Sequence, residues 1–335
     1  MELVVSIAVV LSTFLALNIG ANNSAASMGA AYGAGVRTKR EAVILIAVFA
    51  LVGALVAGTP VIKTMGKGII PDTVLTTELG LVIIVLLIAV VFITWANVLS
   101  VPVATTHAIV CAIAGLGIYT KSLNTEKFME IVLWWVVTPF VSFLANFLIG
   151  RFFYLKTLNF LIKRYSEGDI VKILGFFLTI SGVYVAFSAG ANNAANSVGP
   201  IVGMGVIDPF VGAVLAGLGM GLGAILLGGR VLDTVGKRIT EICILRAVSV
   251  ELVGGTIILC ASFMGIPVSL AEIITSGIIG FSCANQGFQQ TFENRHVLRI
   301  AFFWFFVPFF AIGASYGLCM VYYSYNVGEI FARLL

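Results

Sequence analysis

Charge is the scarcest thing in this chain. Asp, Glu, Lys and Arg make up only 10% of its 335 residues, while 60% are hydrophobic. An ordinary soluble domain is about a quarter charged, so most of this length belongs in a bilayer. Histidine is almost missing, with only His107 and His296, and the aspartates outside residues 151–172 are Asp72, Asp208 and Asp233. No Ser/His pair, aspartate dyad or H-E-x-x-H zinc helix assembles from that inventory, so the chain does not read as an intramembrane enzyme. Cys111, Cys243, Cys260, Cys283 and Cys319 stand singly in apolar runs without a C-x-x-C pair, and read as small buried hydrophobes. A long basic run is absent, which argues against nucleic acid; a net charge of +4 suits loops at a membrane edge. Nor does a basic stretch open the chain, so residues 3–19 read as a retained first helix, not a cleaved leader.

Glycine, by contrast, is plentiful at 36 residues, and a polar decapeptide occurs twice. Gly20-Ala21-Asn22-Asn23-Ser24-Ala25-Ala26-Ser27-Met28-Gly29 returns 170 residues on as Gly190-Ala191-Asn192-Asn193-Ala194-Ala195-Asn196-Ser197-Val198-Gly199. The same offset carries Gly33-x-Gly35-Val36 onto Gly203-x-Gly205-Val206, Gly53-Ala54 onto Gly223-Ala224, and Thr64-x-Gly66-Lys67 onto Thr234-x-Gly236-Lys237. At shorter offsets, Pro102-Val103 and Gly115 match Pro267-Val268 and Gly280. Trp135 and Pro139 match Trp304 and Pro308, and Glu78-Leu79 matches Glu251-Leu252. So consistent a register marks a duplicated chain. Repeat 1 covers 1–150, a polar linker with an amphipathic surface helix covers 151–172, and repeat 2 covers 173–335. There are roughly 10–12 apolar segments, some too short to cross a bilayer. The expected fold is an all-α polytopic membrane protein of two inverted structural repeats with broken helices and re-entrant hairpins. The Lys/Arg clusters do not settle which terminus is inside.

Two Asn side chains beside a glycine are costly in hydrocarbon unless they face a cavity, an ion or each other. Glycine there is expected to let each helix break, freeing N–H groups and a positive dipole end for an anion. Asn22, Asn23, Asn192 and Asn193 would add amide donors, with Ser24, Ser27, Asn196 and Ser197 within a turn. The second paired feature is Pro102-Val103-Ala104-Thr105-Thr106-His107 and Pro267-Val268-Ser269-Leu270-Ala271-Glu272. A proline at a helix start leaves the following N–H groups free, and Thr105, Thr106 and Ser269 place hydroxyls beside them. His107 and Glu272 hold equivalent positions in apolar runs, and are the candidate proton carriers. The plainer alternatives are interhelical hydrogen-bond glue for the asparagines and hydroxyls bonded back onto their own helices.

These residues resemble the inorganic phosphate transporter (PiT) family, whose hallmark is a duplicated Gly-Ala-Asn-Asp motif with Pro-x-Ser-Thr-Thr-His-like hairpins. The likeness spans both repeats. It implies a multi-pass plasma-membrane permease for a tetrahedral oxyanion, a homodimer, and a substrate site on Asn22, Asn23, Ser24, Asn192, Asn193, Ala194, Thr105, Thr106 and Ser269. Its coupling-ion residues would be Glu272, His107, Asn22 and Asn192, with no cofactor and no bound metal beyond co-transported H+ or Na+. The chain departs from the family in two ways. Asn23 and Asn193 stand where the family has Asp, and Leu270-Ala271-Glu272 replaces Thr-Thr-His. In both respects it looks more like the bacterial sulfate permease branch.

The first departure has a physical meaning. Phosphate at neutral pH keeps a proton and can donate to a carboxylate, whereas sulfate only accepts. An amide N–H at that place therefore suits sulfate, and an unpaired buried partner costs about 1–3 kcal/mol. A half-helix channel is the competing class, but its Asn-Pro-Ala break is missing after every Asn of the motif.

Overall fold

The computed structural model describes residues 2–98, 103–233, 244–293 and 295–325, with the side chains of 295–301 and 303 set aside. Pro102, Thr234-x-Gly236-Lys237 and Cys243, and the side chain of His296, lie outside what is described. Every regular element among the described residues is helical. Ten principal helices carry the fold: α1 (Glu2–Gly33), α2 (Lys39–Ala57), α3 (Leu79–Val98), α4 (Thr105–Tyr119) and α5 (Thr125–Leu148) in the first half. The second half repeats the order with α6 (Glu167–Gly203), α7 (Pro209–Gly223), α8 (Ile244–Phe263), α9 (Leu270–Gln286) and α10 (Arg295–Ser324). Eight stretches are long and apolar enough to span a bilayer, whereas α4 is a shorter apolar helix.

Local chemistry sets the ends. Thr38 and Glu41 form a reciprocal capping box on α2, and Ser166 caps α6. Asp208 accepts from Phe210 and Val211 N–H ahead of Pro209 to start α7. The linker contains an exposed helix, Tyr154–Arg164, with Leu161 as its buried residue, matching the amphipathic pattern.

Helices five places apart make the same contacts. α1 packs on α3 and α7, and α6 packs on α8 and α2. α4 lies against α10, and α9 against α5. The two halves therefore interleave. Equivalent helices also cross antiparallel. Ser12 of α1 bonds the carbonyl of Ser197 in α6, while Ser27 lies against Gly182. Likewise Gly217 and Gly221 of α7 meet Leu51 and Ala47 of α2.

The glycines make these crossings possible. A Cβ at Gly20 would collide with the Met220 carbonyl, and one at Gly190 with that of Ala50. Gly53 abuts the Phe187 carbonyl and Gly223 that of Leu17, the same pair of contacts exchanged between halves. This corrects the expected break at the Asn motif. α1 and α6 run unbroken through both copies, because Gly20 and Gly190 are used for close backbone approach, not for leaving helical geometry. Among the described residues, non-helical stretches lie instead at residues 103–104 ahead of α4 and over residues 264–269 ahead of α9, where two hairpin tips form.

A second correction concerns Glu78 and Glu251. Glu78 sits at the start of α3, whereas Glu251 is buried in the middle of α8. Aligning the two hairpin sequences at Pro102 and Pro267 sets Glu251 opposite Leu86, so the two glutamates are not equivalents.

Candidate functional site

The two hairpin tips meet each other. α4 begins at Thr105 after Ala104, with no side chain capping its first turn. α9 begins after Ser269, whose hydroxyl accepts the Glu272 N–H at 3.3 Å. Thr106 Oγ1 donates to the Val268 carbonyl at 2.9 Å, joining the first helix start to the second tip. Trp135 Nε1 of α5 donates to the Pro267 carbonyl at 3.0 Å. Two helix starts, each a positive dipole end, thus face one another.

The motif helices hold these tips. Asn192 Nδ2 donates to Ser262 Oγ and to the Ile266 carbonyl, both at 3.0 Å, and its Oδ1 accepts the Val268 N–H at 2.9 Å. One side chain therefore fastens the second tip on both sides of its turn. In the first half, Asn22 Nδ2 donates to Asn97 Oδ1 at 2.8 Å, and Asn97 Nδ2 donates to Asn18. Asn97 and Ser262 hold equivalent places when the two hairpin sequences are aligned at Pro102 and Pro267. Asn196 of α6 donates to Thr106 Oγ1 at 3.0 Å and reaches Thr105 Oγ1 at 3.5 Å.

His107 and Glu272 face each other across the tips. Nδ1 lies 3.2 Å from Oε1, with both side chains almost wholly buried. The alignment is not that of a hydrogen bond, and neither ring nitrogen has such a partner among the described residues. The Trp135 ring lies 3.9 Å away, centre to centre. Asn23 Nδ2, Asn193 Oδ1 and Asn196 Oδ1 are likewise buried without a partner. Unpaired buried polar atoms are rare in native folds, and most of those among the described residues lie on the motif helices and the hairpin tips.

Two candidate residues stand apart from this geometry. The Ser24 hydroxyl bonds back to the Gly20 carbonyl. Ala194 is a buried methyl in the main core, with its N–H inside the continuous α6. Ser27 and Ser197 also bond back to their own helices. Thr105, Thr106, His107, Ser269 and Glu272 do come together, with Asn192 behind them. Asn97, Ser262 and the indole N–H of Trp135 join the site without any motif of their own in the sequence. The first two were legible as equivalents once Pro102 and Pro267 were aligned. A separate cavity of about 540 Å³, lined by Lys63, Lys67, Gly205 and Asp208, opens at the end of α6.

Apolar spans, paired helical hairpins and a buried cluster of amides and hydroxyls define a polytopic membrane transporter. Comparison with known proteins gives the same class. The model of the Phosphate transporter family matches residues 19–315. The chain is 37% identical to the sulfate permease CysP of Bacillus subtilis, over 97% of this chain and 90% of that one. It is 28% identical to a Pyrococcus furiosus protein provisionally named a phosphate permease, over 93% and 94% of the two chains. A solved structure titled the sodium-dependent phosphate transporter superposes with a TM-score of 0.85 at 25% identity, covering 98% of this chain and all of the other. The chain belongs to the phosphate transporter family. It is a multi-pass plasma-membrane permease, not an enzyme.

Proposed function

We propose that the chain imports sulfate by proton symport, binding the anion where the two hairpin tips meet the motif helices. The observation that carries this reading is the pair Asn23 and Asn193. They hold equivalent places, and each keeps one amide atom buried and without a hydrogen-bond partner among the described residues. The oxygen and nitrogen of an amide exchange by a flip, so both side chains can turn an N–H toward an oxyanion. The start of α4, which no side chain caps, adds a positive dipole end. Sulfate accepts from all of these and donates to none. The 37% identity to a sulfate permease supports the same choice.

Charge makes coupling necessary. Moving two uncompensated charges through 100 mV costs about 4.6 kcal/mol. His107 and Glu272, 3.2 Å apart, can take up protons as the anion arrives and screen it from the carboxylate. The antiparallel crossing of α1 with α6 supports two inverted repeats. One bundle then rocks against the other to change access. The exposed Phe305, Phe306, Phe309 and Phe310 of α10 offer a face to lipid or to a second copy in a homodimer.

A phosphate symporter coupled to sodium is the second reading. It is supported by the likeness to the structure titled the sodium-dependent phosphate transporter. Uptake of labelled sulfate into proteoliposomes, competed with phosphate under separate proton and sodium gradients, decides between them. Strong phosphate inhibition with weak sulfate uptake sinks the sulfate reading. Restoring the family's aspartates with N23D plus N193D should lower the sulfate-to-phosphate uptake ratio roughly ten- to hundred-fold, the equivalent of about 1–3 kcal/mol. An unchanged ratio refutes the hydrogen-bond account.

A further inference from the structure

Glu251 lies in the middle of α8, only 4% exposed, and takes no part in the site at the hairpin tips. Its Oε2 accepts from Ser181 Oγ of α6 at 2.5 Å, and Ser181 is itself fully buried. Ser181 Oγ also lies 3.2 Å from the Leu178 carbonyl. One hydroxyl hydrogen cannot serve both acceptors. A neutral Glu251 resolves this, since its acid O–H donates to Ser181, which passes its own hydrogen to Leu178. A charged Glu251 would rest in an apolar interface with one hydroxyl donor, which is costly.

The charged and titratable groups on the surrounding helices are engaged elsewhere or, as with Glu167, Asp169 and Lys172 of α6 and Arg40 of α2, exposed near the helix ends. Arg246 of α8 donates to the Ile278 carbonyl and Ser282 Oγ. Arg37 donates to Thr179 and lies beside Glu41. Lys39 pairs with Asp233, Lys127 with Glu130, and Glu272 faces His107. Tyr184 donates to Thr256, and Lys63 lines the separate cavity. Ser181 is the hydrogen-bond partner of Glu251 among the described residues.

Position ties this carboxyl to the hairpin. α6 and α8 run side by side, and Ser181–Glu251 and Asn192–Ser262 are two rungs of that pair, each 70 residues apart in sequence. The rungs are three helical turns apart, about 16 Å. The upper rung fastens the second hairpin tip. In the first half the places of Ser181 and Glu251 are taken by Leu11 and Leu86, which pack in the main core. The crossing itself therefore has no need of an acid, and the acid occurs in one half alone.

We propose that Glu251 is a second proton-binding site, outside the anion site, whose occupancy sets the packing of α6 against α8 and so the position of the second hairpin tip. The proton enters from water on one face and leaves to water on the other, and no bond other than O–H changes. A hard cation such as sodium is a poor fit, because one carboxylate and one hydroxyl fall short of the six or so oxygens such ions take. The proposal rests on the transporter reading above.

Its test uses the full chain in proteoliposomes with labelled sulfate and, in a parallel arm, labelled phosphate. E251Q is neutral at every pH. It should lower the ratio of proton-driven accumulation to equilibrium exchange at least tenfold and flatten the pH dependence of accumulation. Infrared spectra of purified protein at neutral pH, with no anion added, should contain a protonated-carboxyl C=O stretch that E251Q lacks. An unaltered accumulation-to-exchange ratio, or identical infrared spectra, overturns the proposal. If the wild type exchanges neither anion, the transporter reading fails instead, and the infrared arm decides Glu251 alone. Should E251Q not fold, E251L, which copies Leu86 of the first half, takes its place.

Discussion

Truncating Asn192 should cost far more than truncating its counterpart Asn22. In Asn192→Ala three hydrogen bonds go at once, to Ser262 Oγ, the Ile266 carbonyl and the Val268 N–H. Ser262 keeps a bond to the Ile258 carbonyl at 2.8 Å, so its loss is small. Ile266 and Val268 are fully buried, and their two peptide groups are left without partners. Each such group costs about 1–3 kcal/mol, which gives about 2–6 kcal/mol for the variant. Asn22→Ala removes one side-chain bond, and Asn97 retains its contacts to Asn18. That variant should cost about 1 kcal/mol. Denaturant unfolding of the protein in mixed micelles measures both. Asn192→Asp adds a finer test, since it keeps the acceptor for Val268 but sets an oxygen against the Ile266 carbonyl. If N192A is no more destabilised than N22A, Asn192 does not hold the second tip and the account of the hairpin is wrong.

Gly20→Ala and Gly190→Ala drive a methyl into the Met220 and Ala50 carbonyls. Each should lose about 1–3 kcal/mol or more by overpacking, whereas Gly313→Ala on α10 meets open space and should be harmless; the yield of monodisperse protein compares them. Near the membrane edge, the Lys67 hydrogen bond and then its charge hold the Asp72 carboxyl below its ordinary value. A lowered folded-state value means any stabilisation is present at neutral pH and fades as pH falls through that depressed value. Carbon NMR of labelled aspartate should show the Asp72 titration moving up toward the ordinary carboxylate range in K67Q, and an unmoved titration would dissociate the pair from the shift.

The doubled motif, the paired hairpins and the all-helical membrane fold were legible because each rests on periodicity and on a register kept over both halves. Asn22 and Asn192 were legible as special residues, but their role was not. A glycine beside asparagine in hydrocarbon suits a helix break and a tight crossing equally well, and only the positions of Met220 and Ala50 separate the two. The Glu78-Leu79 and Glu251-Leu252 match is accidental, because the segments ahead of the two hairpins differ in length. Asn97 and Ser262 are single polar residues in apolar runs and carry no local signal, and only the proline alignment joins them. The meeting of His107 with Glu272 depends on two helix starts 165 residues apart being folded tip to tip, which no local pattern encodes.

The exchange of helices between halves bears on biogenesis. α4 settles against α10, with Ser315 donating to the Ala112 carbonyl across 203 residues of chain, and Gly115 beside the Ile312 backbone. During synthesis the face of α4 that meets α10 therefore waits for its partner until nearly all of the polypeptide has been inserted. Such long-range closure is slow and exposes partly made surfaces. A stop within α10 should then behave as a lesion of the whole molecule, stranding a hairpin made two hundred residues earlier for the membrane's quality-control proteases to find.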